Sequence, residues 1–272
     1  MTPPSDTLAF IGGGNMASAL IGGLRKLGRP GSSILVIEPG HEQRLRLQAE
    51  FGVRTQASAD EQLAQARCVV LAVKPQMFNA AAAPCAAHVA GAWHLSVMAG
   101  IRCDAVARAT GSARIVRSMP NTPALIGRGI AGLFATAAVT ADERVQVERL
   151  LAPTGQTLWV EREADLDAVT ALSGSGPAYV FYFVEAMVAA AVDMGLSAEQ
   201  GQRLALATFD GATALAMQST DSPATLRERV TSKGGTTHAA LQSLEANGVK
   251  AAFVLALKAA QLRARELGDE FG

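Results

Sequence analysis

A glycine-rich loop near the start of the chain has the spacing of a dinucleotide-binding motif. Residues 12–17 (GGGNMA) fit the pattern G-x-G-x-x-A, follow the apolar run 8–11 and precede an amphipathic stretch that ends at Gly28. The first glycine of such a loop permits a tight turn, the second lets the backbone approach a pyrophosphate, and the final small residue allows close helix–strand packing. A glycine-rich turn without a ligand is the alternative. We expect the cofactor to contact Gly12, Gly13, Gly14, Asn15, Met16 and Ala17.

An acidic residue stands where the second strand of such a domain contacts the adenosine ribose. Glu38 closes the apolar run 34–37, and an acidic side chain at that place commonly accepts hydrogen bonds from the ribose hydroxyls, which would favour NAD(H). Arg44 lies just beyond, and a guanidinium there could pair with the 2′-phosphate of NADP(H). The residues alone leave NADP(H) and NAD(H) both open.

A second candidate site lies in the later part of the chain, at residues 232–237 (SKGGTT). A glycine pair that opens a helix exposes several amide donors, and the helix dipole favours a negative group there, so such a loop can hold a carboxylate. A helix cap made by threonine, without a ligand, is the alternative. His238 is a candidate general acid, because histidine commonly has that role. Consecutive helical residues face different directions, so we expect Thr237 and His238 not to face the same group.

The first half of the chain alternates short β-branched runs with helical stretches, which predicts βαβ units and a parallel sheet. The expected strands are residues 8–11, 34–37, 68–73, 94–97, 115–119 and, last, 156–160. After about Glu161 the sequence is rich in alanine and leucine at helical spacing, so we expect a helical second half. The predicted domains are therefore residues 1–162 and residues 163–272.

Capping residues mark where several helices begin and end. The S/T-x-x-E/Q capping box occurs at Ser58 with Glu61, Thr140 with Glu143 and Ser197 with Gln200. Ser222-Pro223 predicts a helix start, and Asn247-Gly248 predicts a helix stop. The most apolar run, residues 178–192, contains Glu185 and is shorter than a spanning helix needs, so we expect a buried helix and no membrane contact.

Charge and composition narrow the class of partner. Twenty-four Lys and Arg balance 24 Asp and Glu over 272 residues, which gives no field for a nucleic acid and favours a small-molecule partner. The three cysteines have no C-x-x-C spacing, which predicts reduced core thiols and a cytoplasmic location. The histidines share no ligand spacing with cysteines or carboxylates, so no metal site is expected. Residues 1–6 lack the basic region of a signal peptide.

Several further segments resemble the pyrroline-5-carboxylate reductase family, over nearly the whole chain and in the family's order. They are residues 70–76 (VLAVKPQ), 96–101 (SVMAGI), 119–124 (MPNTPA), 172–179 (LSGSGPAY), 223–226 (PATL) and, most specifically, 230–241 (VTSKGGTTHAAL). The resemblance implies an α/β Rossmann-type N-terminal domain followed by an all-α dimerisation domain, NAD(P)H as reductant and 1-pyrroline-5-carboxylate as substrate. It also implies a homodimer, and a higher oligomer of dimers is compatible with it. Lys233 departs from the proline that many members have there.

The same resemblance implies roles for particular residues. Those expected to line the dinucleotide cleft are Ala72, Val73, Lys74, Pro75, Val97, Met98 and Ala99. The loop that contains Asn121 is expected beside the nicotinamide and the substrate. The residues expected to hold the substrate carboxylate are Ser232, Gly234, Gly235 and Thr236, and the Thr237 hydroxyl is expected to hydrogen-bond the ring nitrogen.

Two other functions fit part of the pattern. A β-hydroxyacid dehydrogenase shares the Rossmann-plus-helical layout, but it commonly uses a lysine in the first helices of its second domain, and residues 174–194 contain none. A non-catalytic dinucleotide sensor would keep the glycine loop but would have no need of residues 232–237.

Overall fold

The computed structural model describes residues 7–271, so the expectation about residues 1–6 lies outside the described residues. The chain divides into two compact units. The first runs to Ser175 and also includes the chain from Ala260 onward, and the second is Gly176–Ala259.

The first unit is built on one eight-stranded sheet in the order β3-β2-β1-β4-β5-β6-β7-β8. The strands are β1 (Thr7–Ile11), β2 (Ile34–Ile37), β3 (Arg54–Gln56), β4 (Ala66–Leu71), β5 (Trp93–Ser96), β6 (Ile115–Met119), β7 (Gly129–Ala135) and β8 (Gly155–Trp159). Pairing is parallel from β3 to β6 and again between β7 and β8, but β7 runs antiparallel to β6.

The six predicted strands are present, with β4 beginning and ending two residues earlier than expected, and β3 and β7 were missed. β3 is only three residues long and has no apolar run. β7 contains two glycines, which weaken a strand pattern; the second, Gly132, leaves room for Val169, whose Cγ1 would lie 2.6 Å from a β-carbon there. The expectation of a wholly parallel sheet was wrong at β7, because a short connection after β6 reverses the chain instead of crossing over.

Helices cover both faces of this sheet. They are α1 (Asn15–Lys26), α2 (His41–Phe51), α3 (Phe78–Ala82), α4 (Ala86–Val89), α5 (Cys103–Thr110), α6 (Ala141–Leu151) and α7 (Asp165–Val169). Along β1, Leu8 and Phe10 belong to one buried cluster, and Ala9 and Ile11 belong to a second. Because successive strand residues point to opposite faces, the two clusters are the two layers of the core.

The second unit is helical, as predicted. Its helices are α8 (Gly176–Asp193), α9 (Ala198–Gln218), α10 (Pro223–Arg229), α11 (Thr236–Ala246) and the first part of α12 (Val249–Phe271). The prediction that residues 178–192 form a buried helix was wrong for the single chain: Val184 and Ala191 are the buried residues of α8. Phe181 and Tyr182 are 59% and 69% exposed, so this helix presents a broad apolar surface.

The capping signals were right in all but one case. The boxes at Thr140 with Glu143 and at Ser197 with Gln200 are both formed, and the Ser222 side chain accepts from the backbone of Thr225 at the start of α10. The box predicted at Ser58 is absent because the Asp60 side chain takes the capping position and accepts from the Gln62 backbone N–H over 2.8 Å.

The contacts divide the chain later than the predicted boundary between residues 162 and 163. Glu163 Oε1 accepts from Arg117 Nη1 of β6 over 2.7 Å and from the Cys103 backbone N–H over the same distance. At the other end, Asp269 Oδ1 accepts from Arg102 Nη2 over 2.8 Å. These bonds join residues from both sides of the helical segment to the sheet unit.

The three cysteines are free and buried, as predicted for core thiols. Burial raises the pKa of the Cys85 thiol to about 11 and raises the pKa of Cys68 and Cys103 as well. These thiols therefore stay protonated at neutral pH and are poor nucleophiles.

Candidate active site

A cavity of about 490 Å³ opens at the carboxyl ends of β1, β2 and β4. The backbone and side chains that line it come from the glycine loop, the end of β2, the loop after β3 and the segment after β4, and they include Gly12, Gly13, Gly14, Glu38, Pro39, Ala57, Ser58, Ala59, Ala72, Val73, Lys74 and Met77. This is the edge of an open α/β sheet at which ligands bind.

The glycine loop has the geometry that a close approach requires. Gly12 has a φ of +94°, and a β-carbon there would lie 2.7 Å from both the Ala72 carbonyl oxygen and Val73 Cγ1. Its backbone N–H donates to the Ile37 carbonyl over 2.9 Å, which ties the loop to β2. A β-carbon on Gly14 would meet nothing within 4 Å, so this glycine faces open space.

The amino end of α1 is prepared for an anion. Gly14 is its N-cap and supplies no side-chain hydrogen bond, and the first turn contains no acidic residue. Asn15 and Met16 begin this turn, and Ala17 is fully buried, as close packing of the helix on the sheet needs. Unpaired helix N–H groups and the helix dipole both favour a phosphate at this end.

Glu38 is held between the glycine loop and α2. Its Oε2 accepts from the Gly13 backbone N–H over 2.9 Å, and its Oε1 accepts from the Gly40 backbone N–H over 2.8 Å. Arg44 Nη1 donates to the carbonyls of Glu38 and Pro39, over 2.8 and 2.6 Å. The carboxylate therefore lies at the cavity wall, while the guanidinium is engaged by backbone.

The segments after β4 and β5 lie beside this loop. Ala72 N–H donates to the Ile11 carbonyl and Val97 N–H donates to the Leu71 carbonyl, over 2.9 and 3.0 Å. Ala72, Val73 and Lys74 line the cavity, and Pro75 begins the turn that follows. Met98 is buried in the same core cluster as Ile11 and does not line this cavity. Val97 and Ala99, which flank Met98, are half-buried.

Asn121 has a structural contact that the sequence did not indicate. Its Oδ1 accepts from the Ile130 backbone N–H over 3.0 Å, which leaves its amide N–H₂ for other partners.

The π-helical turn Thr170–Gly174 was also missed by the sequence analysis. A β-carbon on Gly174 would lie 2.5 Å from Met119 Cε, so the turn packs closely against the end of β6. Such turns are frequent at functional sites, and the G-S-G run at residues 174–176 was the available signal.

The second unit contains the other candidate site, a tight turn that opens α11. Gly235 N–H donates to the Ser232 carbonyl over 3.0 Å, and Gly234 has a φ of +74°. No described non-glycine residue has positive φ, so this is a type II turn with Lys233 in the position that favours proline.

This turn leaves amide donors at the start of a helix. Gly235 is the N-cap of α11 without a side-chain bond, and no acidic residue occupies the first turn, which begins at Thr236. The first intrahelical bond runs from Ala239 N–H to the Gly235 carbonyl. Ser232 is exposed, and Thr237 and His238 are half-buried. The predicted carboxylate-binding residues thus lie in one turn, and the free amides at the start of α11 can bind an anion.

The sheet, its glycine loop and the open amino end of α1 define a dinucleotide-dependent oxidoreductase of the Rossmann class, and residues 7–100 match the family described as NADP oxidoreductase, coenzyme F420-dependent. The pyrroline-5-carboxylate reductase of Pseudomonas aeruginosa is 46% identical over 267 residues, which covers 97% of this chain and 98% of that protein. The chain belongs to the pyrroline-5-carboxylate reductase family.

Other comparisons agree along the whole chain. Residues 163–267 match the family described as pyrroline-5-carboxylate reductase dimerisation, so the chain carries a homodimerisation domain. The pyrroline-5-carboxylate reductase structure from Coxiella burnetii superposes with a TM-score of 0.90 at 35% identity and covers 97% of this chain and 98% of that one. The Plasmodium falciparum pyrroline carboxylate reductase with NADP bound gives 0.84 at 28% identity, with 96% and 98% covered.

Proposed function

We propose that this protein reduces the C=N bond of 1-pyrroline-5-carboxylate with NAD(P)H and releases L-proline, the last step of proline biosynthesis. The observation that carries the proposal is the pairing, in one chain, of a dinucleotide cleft with a glycine turn that presents helix-start amides. A dinucleotide sensor would need only the first. A dehydrogenase of 3-hydroxyacids would need a base for a hydroxyl proton, which a cyclic imine does not require.

The cleft has room for a dinucleotide at the glycine loop. Gly14 carries no side chain where a pyrophosphate would approach, and α1 begins with unpaired amides. In the proposed complex Gly12, Gly13, Gly14, Asn15, Met16 and Ala17 hold the pyrophosphate, and Glu38 accepts from the ribose. Residues 72–75 and 97–99 border the cofactor. When bound, the reduced nicotinamide supplies the hydride.

The substrate side needs positioning more than acid catalysis. A pyrroline nitrogen is basic enough to arrive largely protonated, so hydride addition to the carbon leaves a neutral amine without a proton from the protein. Ser232, Gly234, Gly235 and Thr236 are proposed to hold the carboxylate through the amides at the start of α11. Correct placement of two reactants can lower a barrier by several kcal/mol.

Thr237 is the proposed catalytic residue. Its neutral hydroxyl can accept a hydrogen bond from the iminium N–H and can donate one to the product amine, so it suits both states. Asn121 is proposed to contact the substrate through its amide N–H₂, since its carbonyl is bonded to Ile130. His238 is expected to have no proton-transfer role.

The apolar face of α8 is proposed to be covered by a second copy of the chain. The helical stretch Asp165–Asp193 is long and apolar enough to cross a membrane by length and composition alone. The match to the dimerisation family instead supports burial of the same side chains against a second copy of the chain. A soluble, cytoplasmic enzyme without membrane contact, and assembly of the dimers into a larger oligomer, belong to the same proposal.

One assay tests the function. Oxidation of NADH and NADPH is followed with 1-pyrroline-5-carboxylate, and reduction of both oxidised dinucleotides is followed with a panel of 3-hydroxyacids. We expect dinucleotide oxidation only with the imine, with proline as the product detected by chromatography. Turnover of a 3-hydroxyacid, or dinucleotide binding without turnover of the imine, would contradict the proposal.

A further inference from the structure

We propose that Glu38 makes the cleft select NADH over NADPH. The inference rests on the proposed function only in its choice of cofactor pair, because it concerns the adenosine end of the cleft and not the reacting bond. It rests on what holds Glu38, on what occupies Arg44 and on which charges face the cavity.

The Glu38 carboxylate is fixed by two backbone donors on opposite sides. Gly13 N–H contacts one oxygen over 2.9 Å and Gly40 N–H contacts the other over 2.8 Å. Charge-assisted bonds to backbone amides are stronger than neutral ones, so the carboxylate does not move aside at low cost. Each oxygen keeps acceptor capacity for a ribose hydroxyl, whereas a 2′-phosphate offers no proton to it at neutral pH.

The amino end of α2 would be the natural alternative site for a 2′-phosphate. It is already occupied, because Gly40 is the N-cap of α2 and its N–H donates to Glu38. Glu42 adds an acidic residue in the first turn of the same helix. A phosphate here would therefore be repelled by two carboxylates, those of Glu38 and Glu42, and could not use the Gly40 amide as a donor.

The cationic residue that could reverse this preference is bonded to backbone carbonyls beside Glu38. Arg44 Nη1 donates to two backbone carbonyls, those of Glu38 and Pro39, and Arg44 is not among the residues that line the cavity. The charged residues of the described chain that do line it are Glu38 and Lys74. Lys74 follows β4, on the other side of β1 from β2, so it is remote from the ribose end.

The loop after β3 completes this end of the cavity with small side chains. Ala57, Ser58 and Ala59 line it, and none of them carries a positive charge. A bound 2′-phosphate would lose its hydration without gaining a cationic partner, whereas a ribose diol would gain the Glu38 carboxylate. The charge arrangement thus discriminates between the two dinucleotides.

Binding of the two reduced dinucleotides, followed by their fluorescence without substrate, tests the inference on the full-length protein. We expect the wild type to bind NADH more than about tenfold tighter than NADPH. Glu38→Gln keeps the side-chain shape and removes the charge, and we expect it to shift the affinity ratio toward NADPH by about tenfold or more. Glu50→Gln, an exposed carboxylate at the far end of α2, is the matched control and should leave the ratio unchanged.

A second variant keeps the test decisive if Glu38→Gln is unstable. Arg44→Ala should leave the ratio of NADH to NADPH affinity unchanged, because its guanidinium is bonded to backbone. Equal or tighter NADPH binding by the wild type, an unchanged ratio in a folded Glu38→Gln, or a selective loss of NADPH binding in Arg44→Ala would each overturn the inference. Because no imine is present, failure of the proposed reaction would not produce any of these results.

Discussion

Gly12 lies so close to Ala72 that a β-carbon on Gly12 would come within 2.7 Å of the Ala72 carbonyl oxygen. Gly12 also has a φ of +94°, which side-chain-bearing residues rarely adopt. This contact joins the glycine loop to the end of β4. Two glycines of one motif therefore have different tasks: Gly12 permits the fold of the loop, and Gly14 leaves space for the ligand.

Substitution at Gly14 should separate binding from folding. Gly14→Val places bulk in open space at an ordinary φ of −71°, so we expect a melting temperature close to the wild type and loss of dinucleotide binding. Gly12→Ala should lower stability by about 2 kcal/mol or more, because it adds backbone strain and a clash with Ala72. Thermal unfolding and dinucleotide titration check both, and undiminished affinity in Gly14→Val would remove the assignment of this loop.

Replacement of Thr237 by alanine should lower turnover more than it weakens cofactor binding. The hydroxyl is proposed to orient the ring nitrogen, and a hydrogen bond to a charged group contributes roughly 1.5–3 kcal/mol. That corresponds to about one to two powers of ten in kcat/KM if the bond tightens in the transition state. Steady-state kinetics and dinucleotide titration of the same variant measure the two effects.

His238→Ala is the matched control for Thr237→Ala, because the two residues are neighbours at the start of α11. We expect it to be nearly neutral at every pH. A general acid would instead produce a large loss with a new pH dependence. Near-normal turnover in Thr237→Ala beside a crippled His238→Ala would refute the assigned role.

Acid should destabilise the protein through His94. This residue is fully buried on β5, and burial, followed by the nearby Arg114 charge, lowers the pKa of its imidazole to about 4. The folded pKa lies below the unfolded value of about 6.5, so stability is intact above that pH, falls as the pH drops from there to about 4, and levels off below it. The loss approaches about 3 kcal/mol, since each pKa unit is worth about 1.4 kcal/mol.

Urea unfolding at a series of pH values from about 7.5 to about 4 measures the free energy of unfolding on both sides of the unfolded pKa of about 6.5. His94→Gln should be less stable at neutral pH but should lose less stability on acidification than the wild type. His41→Gln, at an exposed position at the start of α2, should leave the wild-type pH dependence unchanged. Parallel acid profiles for the wild type and His94→Gln would show that His94 is not responsible.

A charge on the exposed face of α8 should weaken the homodimer. Phe181 is 59% exposed in the single chain, and a carboxylate buried without a partner at an interface is costly. We expect Phe181→Glu to shift sedimentation from dimer or larger species toward monomer. Leu27→Glu, at a 69% exposed position in the sheet unit, is the control and should leave assembly unchanged. A wild type that sediments as an active monomer at low concentration would contradict the role of this surface.

Features whose physical cause is local could be predicted from the residues. The glycine loop, the capping boxes at Thr140 and Ser197 and the helix stop at Asn247 each depend on a few neighbouring residues, and all are present in the structure. Alternation of apolar runs predicted six strands, and the change in periodicity after Glu161 predicted the helical half. The family resemblance at residues 230–241 predicted a substrate-binding role for the turn at residues 232–237, which periodicity alone does not indicate.

Features that depend on partners distant in sequence were decided by the tertiary structure. The short strand β3 has no apolar pattern and forms because β2 supplies its hydrogen bonds, and β7 runs antiparallel to β6 because the short connection between them reverses the chain. Glu38 and Arg44 both lie near the adenosine end in sequence, but only the fold shows that Gly13 holds the carboxylate while backbone carbonyls engage the guanidinium. Composition determines which charges are available, and packing decides which of them face the ligand.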